Sequence, residues 1–401
     1  MHSLPNRPIY LDNQATTPCD PRVLAAMLPW FTEHFGNPHS AEHVMGRQAE
    51  DAVEAAREEV GALIGAESRE IVFTSGATES NNIAIKGAAR FARSAGTLSR
   101  RRVITIATEH KCALEAVRSL AEDGFEPVEL PVSRSGLLDL DLIGAALREP
   151  TLLVSVMTGN NEIGVIQDIA AIATAARAAG ALFHTDAAQA VGKIPIDVQA
   201  LGVDLLSISG HKLYGPKGVG ALYVRRRPRV RLTPLFSGGG QERGLRSGTL
   251  PAPLVIGFGV ACRLAGAEMA GDAACIGGLR DLMLARLRAA IPDLVLNGDP
   301  DVRLAGNLNL TFPHVLAAEL MAAVPDVCLS TGSACSSAEI EPSYVLRALG
   351  LTPAEAARTL RIGIGRFTSR ADIEAAADAI AVAYASLAAS RPIPARSAVG
   401  A

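Results

Sequence analysis

Between about residue 70 and residue 225 the chain repeats one pattern. A short apolar run is followed by a polar cluster, and then by an alanine-rich stretch with helical spacing. The apolar runs fall at 71–73, 103–106, 152–157, 181–183 and 204–208, with one more at 219–224 behind a Gly-Pro-Lys-Gly turn. Helical spacing occupies 114–122 and 169–179, the second closed by Gly180 as a C-cap. Strands that alternate with helices predict an α/β fold, with a mainly parallel sheet flanked by helices.

Beyond residue 264 the pattern changes. A helix is expected over 278–290, an alternating strand over 308–312, then two helices and a strand near Arg361, which together make a smaller α+β domain. The expected division is a large domain over 17–262 and a small domain built from 1–16 and 263–390. The tail 391–401 is rich in Pro, Ser and Ala and is expected to be disordered.

Composition narrows the function. The net charge is −3 and the arginine runs at 100–102 and 225–227 read as solvated surface, so no nucleic-acid partner is expected. The start of the chain has no apolar core of a signal peptide, and no stretch of about 18 uninterrupted apolar residues is present. These features predict a soluble, cytoplasmic protein without a membrane partner. Six scattered cysteines without a Cys-x-x-Cys give no disulfide framework. Cys19, Cys262 and Cys275 read as buried small hydrophobes, Cys328 as structural, and Cys112 receives no role.

Ligands of open parallel sheets bind outside the carboxyl ends of the strands. Five polar clusters follow expected strands here, at 74–78, 109–111, 159–162, 186–189 and 209–212, so they converge on one rim. Ser75-Gly76-Ala77-Thr78 leads from strand to helix and suits an anion, with Ser209 and His211 as further donors. Lys212 would stand near that site, where an amine can form a Schiff base. Asp186 ends an apolar strand and needs a cationic or hydrogen-bonding partner such as a pyridinium nitrogen. Gln189 could reach the ring's phenolic oxygen, and His110 could stack on the ring and exchange protons. His39 and His43 have i, i+4 spacing but no third metal ligand, so they read as loop and helix-start residues. Gly238-Gly239-Gly240 reads as a close-packing segment.

The residues that carry a family likeness are the run Tyr10-Leu11-Asp12-Asn13-Gln14-Ala15-Thr16-Thr17, Ser207 to Lys212, Arg246-Ser247-Gly248-Thr249, and Gly332-Ser333-Ala334-Cys335 with Glu341 to Arg347. With them, from residue 10 to about 367, the chain resembles the cysteine desulfurases of the nitrogen-fixation and iron–sulfur-cluster type. These belong to the class-V aminotransferase family of fold-type-I pyridoxal-phosphate enzymes. The resemblance implies pyridoxal phosphate as cofactor, with Lys212 as its Schiff-base lysine and Asp186 on the pyridine nitrogen. It implies Gln189 and Asn161 near the phenolic oxygen, Asn161 also near substrate, and His110 as the stacking acid–base group. It gives Ala77, Thr78, Ser209 and His211 to the phosphate and Thr249 to the phosphate of a neighbouring subunit in a homodimer. Arg361 is implied to bind the carboxylate of L-cysteine, and Cys335, in a run of small residues that suits a mobile loop, to accept its sulfur as a persulfide.

No resident metal is implied, though Cys335 is a candidate transient ligand of an iron–sulfur cluster. A sulfur acceptor or cluster scaffold protein is implied as partner. The tail shows no match to the family's scaffold-docking extension, and Asn13 leans toward the nitrogen-fixation branch. The competing readings are a selenocysteine lyase or other class-V aminotransferase-like enzyme, and a non-catalytic assembly subunit. A scaffold has no need of Lys212, Asp186, His110, Cys335 and Arg361 together, and a nucleotide binder would need a Walker-type lysine motif that is absent.

Overall fold

The computed structural model describes residues 8–96, 99–331 and 343–389. Its strands in chain order are β1 (Ile9–Tyr10), β2 (Ile71–Thr74), β3 (Arg102–Ile106), β4 (Glu126–Leu130), β5 (Thr151–Ser155) and β6 (Leu182–Asp186). They continue with β7 (Leu205–Ser209), β8 (Gly220–Val224), β9 (Val295–Leu296), β10 (Asn307–Thr311), β11 (Val327–Cys328) and β12 (Thr359–Gly363). Seven of them form the main sheet in the order β2-β8-β7-β6-β5-β3-β4. The pairs from β7 to β4 are parallel, while β8 runs antiparallel to both β7 and β2. All residues of β2 and β7 are buried, and β2 accordingly reads as an apolar run up to Thr74, while β7 buries Ser207 and Ser209 among its aliphatic residues.

Strand β4 was not expected. Its sequence, Glu-Pro-Val-Glu-Leu, carries a proline and two carboxylates, and it lies at the sheet edge, where a missing N–H and solvated charges are tolerated. The helix expected at 114–122 starts earlier, as Lys111–Arg118, and tightens into a 3-10 turn over Ser119–Asp123. The helix Ile169–Ala178 is capped by Asp168, which accepts from the Ala171 N–H, and Gly180 follows it with φ 66°.

The change of pattern at 264 is not a break in the chain. One helix runs from Ala252 to Ala290. Six glycines between 257 and 278 lower its apparent propensity, and two of them are contact points. A Cβ on Gly259 would lie 2.6 Å from Ala56 Cα, so the glycine lets this helix press against the helix Val44–Leu63. The helix is long and apolar enough to cross a membrane, yet its ends serve two cores inside the protein. Val255, Phe258, Cys262 and Ala265 pack under the main sheet. Met283 and Leu287 join a second core with Leu11, Leu308, Phe312, Leu360, Ile362 and Ile373.

The second core lies on a three-stranded antiparallel sheet, β12-β10-β9. Strand β1 pairs in parallel with β11, which ties the start of the described chain to this unit. Between the two cores the long helix faces solvent. Cys275, expected to be buried, is therefore exposed, whereas Cys262 is buried. His43 caps the helix Val44–Leu63, its Nδ1 accepting from the Gly46 N–H at 3.0 Å, and is a helix-start residue as expected.

Candidate active site

Asp186 is the last residue of β6 and only 4% exposed. Its Oδ1 accepts from the Ala188 N–H at 2.9 Å and its Oδ2 from Asn81 Nδ2 at 2.7 Å. Asn81 was not singled out in the sequence. It sits one turn into the helix Ala77–Ser94, on the face that carries the buried residues Ala84, Ile85 and Ala88. The apolar stripe around it shows in the sequence that a polar residue is buried there, but not which partner it meets. Its own Oδ1 is buried without a hydrogen-bond partner, an orphaned acceptor beside Asp186.

His110 is the N-cap of the helix Lys111–Arg118. Its Nδ1 accepts from the Cys112 N–H at 3.3 Å, so the neutral ring carries its proton on Nε2. Burial, with Lys212 and Lys111 nearby, holds the imidazole below its ordinary pKa despite Asp186. The Cys112 thiol lies 2.9 Å from Nδ1 and accepts from Asn81 Nδ2 at 3.1 Å. Burial and the Asp186 charge push that thiol up to about 12. Cys112 is thus a hydrogen-bonded neighbour of the site and no nucleophile at neutral pH.

Lys212 ends the 3-10 turn that follows β7, and its Nζ donates to the carbonyls of Gln14 and, at 2.8 Å, Ala15. Gln189 donates through Nε2 to the same Gln14 carbonyl at 2.9 Å and accepts at Oε1 from Lys193 Nζ at 3.1 Å. The helix Ala77–Ser94 opens behind Gly76, whose φ of 150° is open to glycine. A Cβ there would lie 3.9 Å from Ser209 Oγ, so the hydroxyl borders the helix N-terminus. His211 Nδ1 lies 3.0 Å from Thr16 Oγ1, and burial with Lys212 pulls its pKa down to about 4. A neutral His211 can serve as a hydrogen-bonding group but not as a cation.

Arg361 lies across the site in β12 and is 2% exposed. Its Nη1 donates to the Asn161 carbonyl at 3.0 Å and its Nη2 to Asp12 Oδ1 at 2.8 Å, while Nε is buried without a partner. Asp12 belongs to the Tyr10–Thr17 run but had been given no role. The Asn161 turn is fixed by its neighbour Asn160, which donates to the Thr108 carbonyl and accepts from the Glu162 and Ile163 N–H groups. Glu162, pushed up by burial, accepts from Ser343 Oγ at 2.5 Å. Ser330 pairs with Arg361 through the backbone.

Thr249 is exposed, and among the described residues no hydrogen bond joins it to the others within the chain. Cys335, with residues 332–342 around it, lies outside the described residues.

These groups fit pyridoxal phosphate. A buried carboxylate at a strand end suits the pyridine nitrogen, the helix N-terminus with Ser209 suits the phosphate, and the Lys212 amine is within the same rim. Residues 9–376 match the family pattern of the class-V aminotransferases. The chain belongs to that family, in the branch of the cysteine desulfurases. Human cysteine desulfurase is 55% identical over 368 residues, covering 92% of this chain and 80% of that protein. Cysteine desulfurase IscS of Rickettsia bellii is 53% identical over 367 residues, covering 92% and 88%. The solved structure of a NifS-like protein superposes with a TM-score of 0.87 at 34% identity, covering 95% of this chain and all of that one. The fold is accordingly the α/β type I of pyridoxal-phosphate enzymes.

Proposed function

We propose that this protein is a pyridoxal-phosphate-dependent cysteine desulfurase that moves sulfur from L-cysteine onto Cys335. The observation that carries the proposal is the convergence of Lys212, Asp186 and His110 on one strand-end rim, facing a buried Arg361. When bound, the cofactor supplies an electron sink for the substrate Cα. Asp186, steadied by Ala188 N–H and Asn81, keeps a proton on the pyridine nitrogen. Lys212 takes up and returns protons through its amine, and Arg361 grips the substrate carboxylate through a planar, charge-assisted fork. Neutral His110 presents its Nε2–H to the site.

Ala77, Thr78, Ser209 and His211 hold the phosphate in this reading, Gln189 and Asn161 serve the phenolic oxygen, and Thr249 completes the site of a second subunit. The Cys335 thiolate attacks the substrate sulfur. An S–S bond forms as the C–S bond breaks, and the carbon fragment gains a proton and leaves as L-alanine. The persulfide then passes to a sulfur acceptor or cluster scaffold. A cytoplasmic location, a homodimer and the two-domain division at residues 262 and 263 belong to the same proposal. That boundary falls inside the long helix, which serves both cores. The full chain, supplied with pyridoxal phosphate, L-cysteine and a thiol reductant, should release alanine and sulfide in equal amounts. Release of neither would overturn the assignment.

A further inference from the structure

Lys193 lies outside every polar cluster of the rim, four residues beyond Gln189. Its Nζ donates to Gln189 Oε1 at 3.1 Å. At the other end of the amide, Nε2 donates to the Gln14 carbonyl at 2.9 Å, and that carbonyl also accepts from Lys212. A carbonyl is an acceptor only, so the Gln14 partner fixes the amide nitrogen on its side and leaves the amide oxygen for Lys193, whose amine donates there whether charged or neutral. The two partners therefore allow one orientation of the amide, with its oxygen toward Lys193 and its nitrogen toward Gln14. Burial, reinforced by Lys212, pulls the Lys193 amine down to about 7. An amine is held here against a cost in solvation that an apolar side chain would not incur.

We infer that Lys193 is a positioning residue: it locks Gln189 so that the amide N–H edge faces the cofactor side and donates to the ring's phenolic oxygen. The inference rests on the pyridoxal-phosphate reading above. With the amide turned over, an oxygen would face an oxygen, and the contact would become repulsive.

The test uses the full-length protein with pyridoxal phosphate and no substrate, reading the visible absorption maximum and the cofactor's dissociation constant. Lys193→Met and Gln189→Leu should each move the band and weaken binding roughly tenfold, the loss of one charge-assisted hydrogen bond. The double variant should match Gln189→Leu alone, because Lys193 acts only through that amide. Lys193→Arg keeps a donor at the amide oxygen and should retain the wild-type band, which covers the case in which Lys193→Met folds poorly. Additive effects in the double variant, or a Lys193→Met protein with unchanged band and affinity, would overturn the inference. A wild-type protein that binds no pyridoxal phosphate would instead overturn the reading on which it rests.

Discussion

Asp186 has one hydrogen bond on each oxygen, so its position is set by the protein before any ligand arrives. Asp186→Asn should keep this shape and still bind pyridoxal phosphate, but without the charge that holds the pyridine proton. Turnover should fall by roughly two orders of magnitude or more, the scale of losing a preorganised electrostatic group. Unchanged turnover in a steady-state assay would remove Asp186 from its role. Arg361 is pinned by Asp12 and the Asn161 carbonyl, and the orphaned Nε leaves it one donor in reserve. Arg361→Lys cannot satisfy Asp12 and a planar carboxylate together. The KM for L-cysteine should rise roughly tenfold or more with kcat less affected, and an unchanged KM would make Arg361 a structural arginine.

At this scale the sequence was legible where a residue sits at a strand end, as Asp186, Gln189, Lys212 and His110 do. Asn81, Asp12 and Lys193 were not legible as site residues. Asn81 and Asp12 act through partners 105 and 349 positions away, and no local pattern reveals such pairs. Lys193 reaches Gln189 within one turn of chain, but nothing local marks that glutamine as part of a ligand site.

The elements of the main sheet could be read because burial on both faces makes their strands rich in apolar residues. Two elements could not. Edge strand β4 lacks that signature, and the long helix hides behind its glycines, whose meaning depends on what lies opposite. A pair of variants separates the two kinds of glycine. Gly259→Ala should destabilise the fold by about 1–3 kcal/mol, because the new methyl meets the backbone of Ala56. Gly278→Ala, with nothing within 4 Å, should leave stability unchanged or raise it by up to about 1 kcal/mol. Thermal melts of the two proteins decide it, and equal midpoints would contradict the close helix contact.

In the whole molecule, two cores share one helix, and the candidate site lies where they meet. Arg361, Asp12 and Ser330 come from strands or bridges around the second core, whereas Asp186, His110 and Lys212 come from the main sheet. The apolar side chains of Leu24, Leu28, Phe31, Phe35 and Val44 are each exposed. Sedimentation at micromolar concentration should give twice the mass of the 41.7 kDa chain. A fully active monomer would dismiss the role assigned to Thr249.

The assignment of the reaction turns on Cys335, whose thiol belongs to a different segment from Lys212 and from every phosphate donor. The most direct measurement loads Cys335→Ala with pyridoxal phosphate, adds L-cysteine, and follows the cofactor absorbance, alanine and protein-bound persulfide together. The absorbance should change as the substrate engages, with neither alanine nor persulfide accumulating. Robust alanine production by that variant would contradict the persulfide mechanism and favour a selenocysteine-lyase-like reaction.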